Sequence, residues 1–325
     1  MRESTGTAER LLFILFLVAA LGLTGGRVIP AYAQSPPACP TLVTSNTTLK
    51  SDCVGTIVVA ASGVTLNLGG HTVDCEFAFP EGIVITDQSD VRVTNGTITN
   101  CAFGILVTRG VNHIFDTNLN LVVVAYGIAL EDTHSSHLRS LTISQAACVG
   151  VLLGGSSNNR LDSLVITTRS RCPLGFENFG IAVVPSSLSA ATDNVITSSS
   201  VAGFSNGIFV FASDANTIQS STINNNAWGI LLNESNSNTI QSNTATNQLV
   251  DGIAIYMGAA NIITANTADM NLNGIHVLAG STDNTITSNV ALNNGGSDLE
   301  DDNPNCDNNT WSHNRFNTAN QPCIH

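Results

Sequence analysis

An all-β chain, wound as a right-handed parallel β-helix of about ten coils, is the fold the sequence predicts, and two marks recurring in phase carry the prediction. The first is a glycine followed by an aliphatic residue: Gly82-Ile83, Gly104-Ile105, Gly127-Ile128, Gly150-Val151, Gly180-Ile181, Gly207-Ile208, Gly229-Ile230, Gly252-Ile253 and Gly274-Ile275. These stand 22, 23, 23, 30, 27, 22, 23 and 22 residues apart. The second, Asn-x-aliphatic-x-x-Asn, follows each glycine and is clearest at Asn238 to Asn243 and Asn284 to Asn289.

A period of 22 to 23 residues is too short for most helical repeats and leaves leucine-rich repeats or β-solenoids. The dense leucine pattern of the former is absent. Each coil instead holds short runs rich in Ile, Val and Thr, such as Gly207 to Phe211, separated by Asn, Ser, Gly and Asp, which are strand and turn signals. One such coil cannot bury its own inward face. Stacked at the strand spacing of ~4.8 Å, inward Ile and Val of neighbouring coils cover one another, and turn asparagines can hydrogen-bond along the stack.

Residues 34–325 are therefore expected to form a single solenoid domain, with caps over about 39–54 and 303–325 that shield its open sheet edges. Before it, Arg2 and Arg10 precede an apolar run from Leu11 to Leu23 and the small-x-small triplet Ala31-Tyr32-Ala33. Residues 1–33 thus read as a secretory signal peptide cleaved after Ala33, which makes the mature chain secreted or periplasmic, with no membrane span. The formal net charge is −13, and loss of three arginines and two glutamates with that segment takes it to about −14. Lys50 is the only lysine. So acidic a surface argues against nucleic acid and anionic lipid as partners and is compatible with glycans or cations.

Eight cysteines suit an oxidising compartment. With the coils aligned, proximity suggests Cys39–Cys53, Cys75–Cys101, Cys148–Cys172 and Cys306–Cys323, one scheme among the 105 that eight cysteines allow.

The stretch Val64-Thr65-Leu66-Asn67-Leu68-Gly69-Gly70-His71-Thr72-Val73, followed by Gly-Ile and Asn-Thr-Ile units, resembles the NosD-type family of secreted β-helix proteins and the wider carbohydrate-binding and sugar-hydrolase β-helices. The resemblance covers nearly the whole mature chain, including the tail from Asp298 to Ile324. It implies a carbohydrate partner, and any activity of polysaccharide lyase or hydrolase type, on a scaffold that serves many functions. The Asp-Pro-His tripeptide of alginate epimerases does not occur, and Lys50 lies in the N-terminal cap, away from the repeat faces.

If the aliphatic residue of the second mark points inward, its neighbours point outward. Down the stack these are Asp90 with Arg92, His113 with Phe115, His137 with Arg139 and Arg160 with Asp162, and then five coils of uncharged residues from Val195 with Thr197 to Thr285 with Thr287. A turn column of Asp87, Arg109 and Asp132 adjoins them, with Glu131 and His134, and an insertion carrying Arg169, Arg171 and Glu177 could overhang the same region. The functional reading makes His113, His137, Asp90 and Asp162 the catalytic candidates, with Arg92, Arg139, Arg160, Arg109 and Asp132 holding the sugar. The competing reading is a ladder of mutually compensating charges, which stacked strands favour.

No cofactor is identified. The acidic run Asp298, Glu300, Asp301, Asp302 and Asp307 could hold calcium but lacks the spacing of a calcium loop. A copper site, which the NosD likeness suggests, would find few soft ligands beyond Met257 and Met270, so no metal ligand set is assigned. The first reading is thus an extracytoplasmic β-helix that binds, and at most processes, a carbohydrate on its early coils. The alternatives are a non-enzymatic secreted scaffold and a periplasmic copper-site assembly factor.

Overall fold

The computed structural model describes residues 36–122, 124–168, 172 and 176–325, so the expected signal segment lies outside the described residues. The strands stack in parallel on three faces. The Gly-aliphatic marks lie in a twelve-stranded sheet that runs from Leu42–Val43 to Leu299–Asp301. The Asn-x-aliphatic marks form a second face, from Thr47–Thr48 to Thr310–Ser312, and strands such as Thr222–Asn224 form the third. In two early coils a single strand, Arg92–Thr99 or Ile114–Val122, turns the corner between the second and third faces. Parallel strands linked this way wind right-handed, which makes the molecule a right-handed β-helix.

Register follows from the two-residue period. Ile196, Ile218, Ile240, Ile263 and Ile286 pair one to the next and end on Trp311, and all six are buried in one core. Each buried isoleucine contributes about 1.5–3 kcal/mol of hydrophobic stabilisation. The glycine of the first mark marks a close approach: at Gly252 a Cβ would stand 2.6 Å from the Gly274 carbonyl oxygen and 2.7 Å from the Asn271 amide.

Where the chain bends, the strand ladder is interrupted and side chains complete it. Asn216, Asn238 and Asn261 each donate their backbone N–H to the side-chain oxygen one coil on, at 2.8, 2.9 and 2.9 Å. Their amide nitrogens donate back to bend carbonyls, as Asn238 does to Ser213 at 3.1 Å. Asn243, Asn266, Asn289 and Asn314 form a second such ladder, and Asn226, Gln248, Asn271 and Asn294 a third. Four disulfides, Cys39–Cys53, Cys75–Cys101, Cys148–Cys172 and Cys306–Cys323, tie neighbouring segments. Among the described residues no helix is long and apolar enough to cross a membrane.

Candidate functional site

On the second face the outward residues flank the core file. From His137 with Arg139 onward these are the pairs the sequence suggests, but the pair is displaced by two residues in the first of the earlier coils and by one in the second. Val93 and Phe115 occupy the core file, so the outward pairs are Arg92 with Thr94 and Ile114 with Asp116. His113 is therefore not on the surface. It fills the bend position that asparagine holds in later coils, donating its N–H to Ser136 Oγ at 3.0 Å, with its ring fully buried and neither ring nitrogen hydrogen-bonded. Burial pushes its pKa down to about 4 against the pull of Asp90, which leaves a neutral imidazole with no access to a substrate. Asp90 sits on an exposed turn at φ 57°, accepting a 3.3 Å hydrogen bond from Asn112.

The shift brings in Asp116, a residue the sequence reading did not single out. Its carboxylate is fully covered, with Arg92 donating through Nε and Nη2 at 3.1 and 2.9 Å and Arg139 at 3.1 and 2.6 Å. Burial alone would raise its pKa, but the hydrogen bonds from Arg139 and Arg92 outweigh it and hold the carboxyl below its ordinary range. Beside this clamp, Arg160 meets Asp162 at 3.4 Å. Burial, helped by Arg139 and Arg160, lowers the pKa of His137. The face is a ladder of charges that compensate one another.

In the turn column, Arg109 pairs with Asp87 through two hydrogen bonds of 2.7 and 2.8 Å, which lower the Asp87 pKa. Asp132 accepts from Ser186 and Ser189 hydroxyls, each at 2.6 Å, and His134 Nδ1 accepts from the Ser157 N–H at 3.2 Å. The described residues of the insertion lie on the Gly-aliphatic face. Arg169 and Arg171 lie outside the described residues, but Cys172 and Phe176 pack on the Gly-aliphatic face, and Glu177 accepts from Asn206 at 3.1 Å.

That face carries an outward apolar file which the sequence reading missed. Its signal was the residue before five of the nine marked glycines: Phe103, Tyr126, Val149, Phe179 and Trp228. Phe103 stacks on Tyr126 with centroids 4.7 Å apart, and Phe179 tilts against Phe209 at 5.2 Å. At one lip of the covered patch, burial raises the pKa of Glu131, with Asp132 adding to the shift, and its Oε1 is buried without a hydrogen-bond partner. Tyr126 is pushed up to about 12 by burial and by Glu131. One strand, Tyr126–His134, thus carries a buried phenol and an unpartnered carboxyl oxygen along the apolar file, whereas the arginine face has most of its charges already paired.

Of the acidic tail, Asp298 accepts from Asn294, Asn317 and Thr318, and Asp301 from Asn303, Asn309 and Trp311, so both are committed to closing the solenoid. Glu300 and Asp302 remain near His276.

A family described as "Right handed beta helix region" matches residues 41–206, and one described as "Periplasmic copper-binding protein (NosD)" matches residues 165–324. Among curated proteins none matches the chain. Among solved structures it is similar to the A-module of the Azotobacter vinelandii mannuronan C-5 epimerase AlgE6, with TM-score 0.66, 12% identity, and coverage of 86% of this chain and 80% of that one. It is also similar to a mutant of the periplasmic alginate epimerase AlgG, with TM-score 0.60, 12% identity and 82% and 76% coverage. A tailspike protein mutant of E. coli bacteriophage HK620, in complex with a pentasaccharide, superposes with TM-score 0.61, 11% identity and 85% and 58% coverage. At these identities the likeness concerns the fold.

Proposed function

The chain belongs to the family of right-handed β-helix proteins, and on that premise we propose that it binds a carbohydrate outside the cytoplasm, along the early part of its Gly-aliphatic face. The observation that carries this reading is Glu131, on the same strand as Tyr126 and raising its pKa, whose Oε1 is buried without a hydrogen-bond partner beside the outward apolar file. Perturbed titratable groups cluster at functional sites. Sugars present hydroxyls to such acids, and the buried rings form the apolar wall behind the carboxyl. Similar folds in alginate epimerases and in a tailspike bound to a pentasaccharide support the substrate class, and the four disulfides suit an extracytoplasmic location reached through the expected signal segment.

A glycan array followed by calorimetry on the best ligand tests this. Glu131→Gln and Tyr126→Phe should each weaken binding about 10-fold or more, the usual scale for losing a polar contact of 1.5–3 kcal/mol. Arg160→Gln should leave it unchanged. Binding that survives Glu131→Gln but disappears with Arg160→Gln would move the site to the second face. Absence of any glycan ligand would leave the scaffold reading, which the self-neutralised Arg92, Asp116 and Arg139 favour.

A further inference from the structure

At the other end of the Gly-aliphatic face, six coils beyond Tyr126, one imidazole stands among three carboxylates. His276 and Glu300 are direct partners across adjacent coils, and Asp302 follows on the same segment. Their ligating atoms all lie within 4.8 Å of one another, the only such group of three among the described residues. His276 Nδ1 meets Asp251 Oδ2 at 3.0 Å, and its Nε2 meets Asp302 Oδ2 at 3.1 Å. Asp251 is 1% exposed, and its second oxygen is fixed by the Asn273 amide at 3.0 Å.

We propose that His276 Nε2, Glu300 and Asp302 bind one divalent first-row cation of the zinc class, with Asp251 as the buried carboxylate that orients the imidazole. Three observations support this. Asp251, Glu300 and Asp302 outnumber the imidazole, and no lysine or arginine pairs with any of them among the described residues, so a negative excess remains even if the ring is protonated. A carboxylate holding the far nitrogen of a histidine is the arrangement by which proteins fix the tautomer of a metal ligand. Register, rather than a loop, sets the separation of His276 and Glu300, so the site is held by the sheet itself.

Binding is balanced by one proton. With the ring doubly protonated, the proton on Nε2 leaves to solvent, the lone pair it frees takes the cation, and Nδ1–H goes on donating to Asp251. One nitrogen and two oxygens suit a borderline cation better than calcium, which takes six to eight oxygens, and Asp298 and Asp301 are already engaged. A thiolate site for monovalent copper does not fit this chain, because all eight cysteines are in disulfides.

The test is calorimetric titration of the chelator-stripped full chain with Zn2+, with stoichiometry checked by native mass spectrometry. One ion per chain is expected. Asp251→Asn should weaken affinity about 10- to 100-fold, the range for losing an orienting partner, and Glu300→Gln and His276→Gln by more than that. Should His276→Gln fail to fold, Glu300→Gln, on the solvent side, gives the same readout. Zn2+ that does not bind, that binds equally to Glu300→Gln, or that is displaced by equimolar Ca2+ overturns the proposal.

Discussion

His113 fills a position that suits asparagine, and this has a consequence in acid. Its folded pKa of about 4 lies below the ordinary value of 6.5. Between those values the unfolded chain takes up a proton that the folded one refuses, so stability falls as pH drops from 6.5 to about 4 and levels off below. The loss amounts to about 3 kcal/mol. In His113→Asn, where the side chain can adopt the geometry of Asn216 and Asn238, urea denaturation between pH 4 and 7 should show that part of the pH dependence gone. An unchanged difference between the two pH values would refute this assignment. The same residue explains why the outward pairs of two coils were misread. With Val91 and His113 in place of the bend asparagine, nothing in the sequence fixes which residue enters the core file: in the first coil the slip is from Val91 to Val93 and leaves Arg92 outward, and in the second it is from Ile114 to Phe115, a slip of one that exchanges the faces. Asp116 was hidden by that slip.

Between residues and molecule stand the strand and the bend. Coil period, strand order and core file were legible, because both marks repeat in phase. The outer apolar file was not, because strands such as Phe179–Val184 are buried at every position and lose the alternation that separates inward from outward. The bend ladders should contribute as much stability as the core. Asn261→Ala leaves the Asn238 N–H and the Ser235 carbonyl without their partners and should cost about 3 kcal/mol. Ile263→Val, one file over, should cost about 0.5–1.5 kcal/mol, and the outward Thr264→Ala within about 0.5 kcal/mol of nothing. A denaturation series in which the isoleucine change exceeds the asparagine change would contradict this ranking.

For the whole molecule, stacking implies that coils are interchangeable. Deleting Thr239 to Asn261 joins Asn238 to Ile262 and keeps both the asparagine ladder and the isoleucine file in phase. The shortened chain should fold, with its longest dimension in X-ray scattering reduced by about 4.8 Å. Removing half as many residues should abolish cooperative unfolding, and equal damage from both deletions would argue against interchangeable coils.

The bend hydrogen bonds join residues 22 to 26 apart along much of the chain, such as Asn216 to Asn238 and Asn266 to Ile240. Closing each new turn therefore demands the same small loop however long the rod has grown, so assembly can begin on any adjacent pair and spread like a zip. A polypeptide threaded outward from its amino end could settle turn upon turn while its tail is still in transit, with the Cys306–Cys323 staple the last to close.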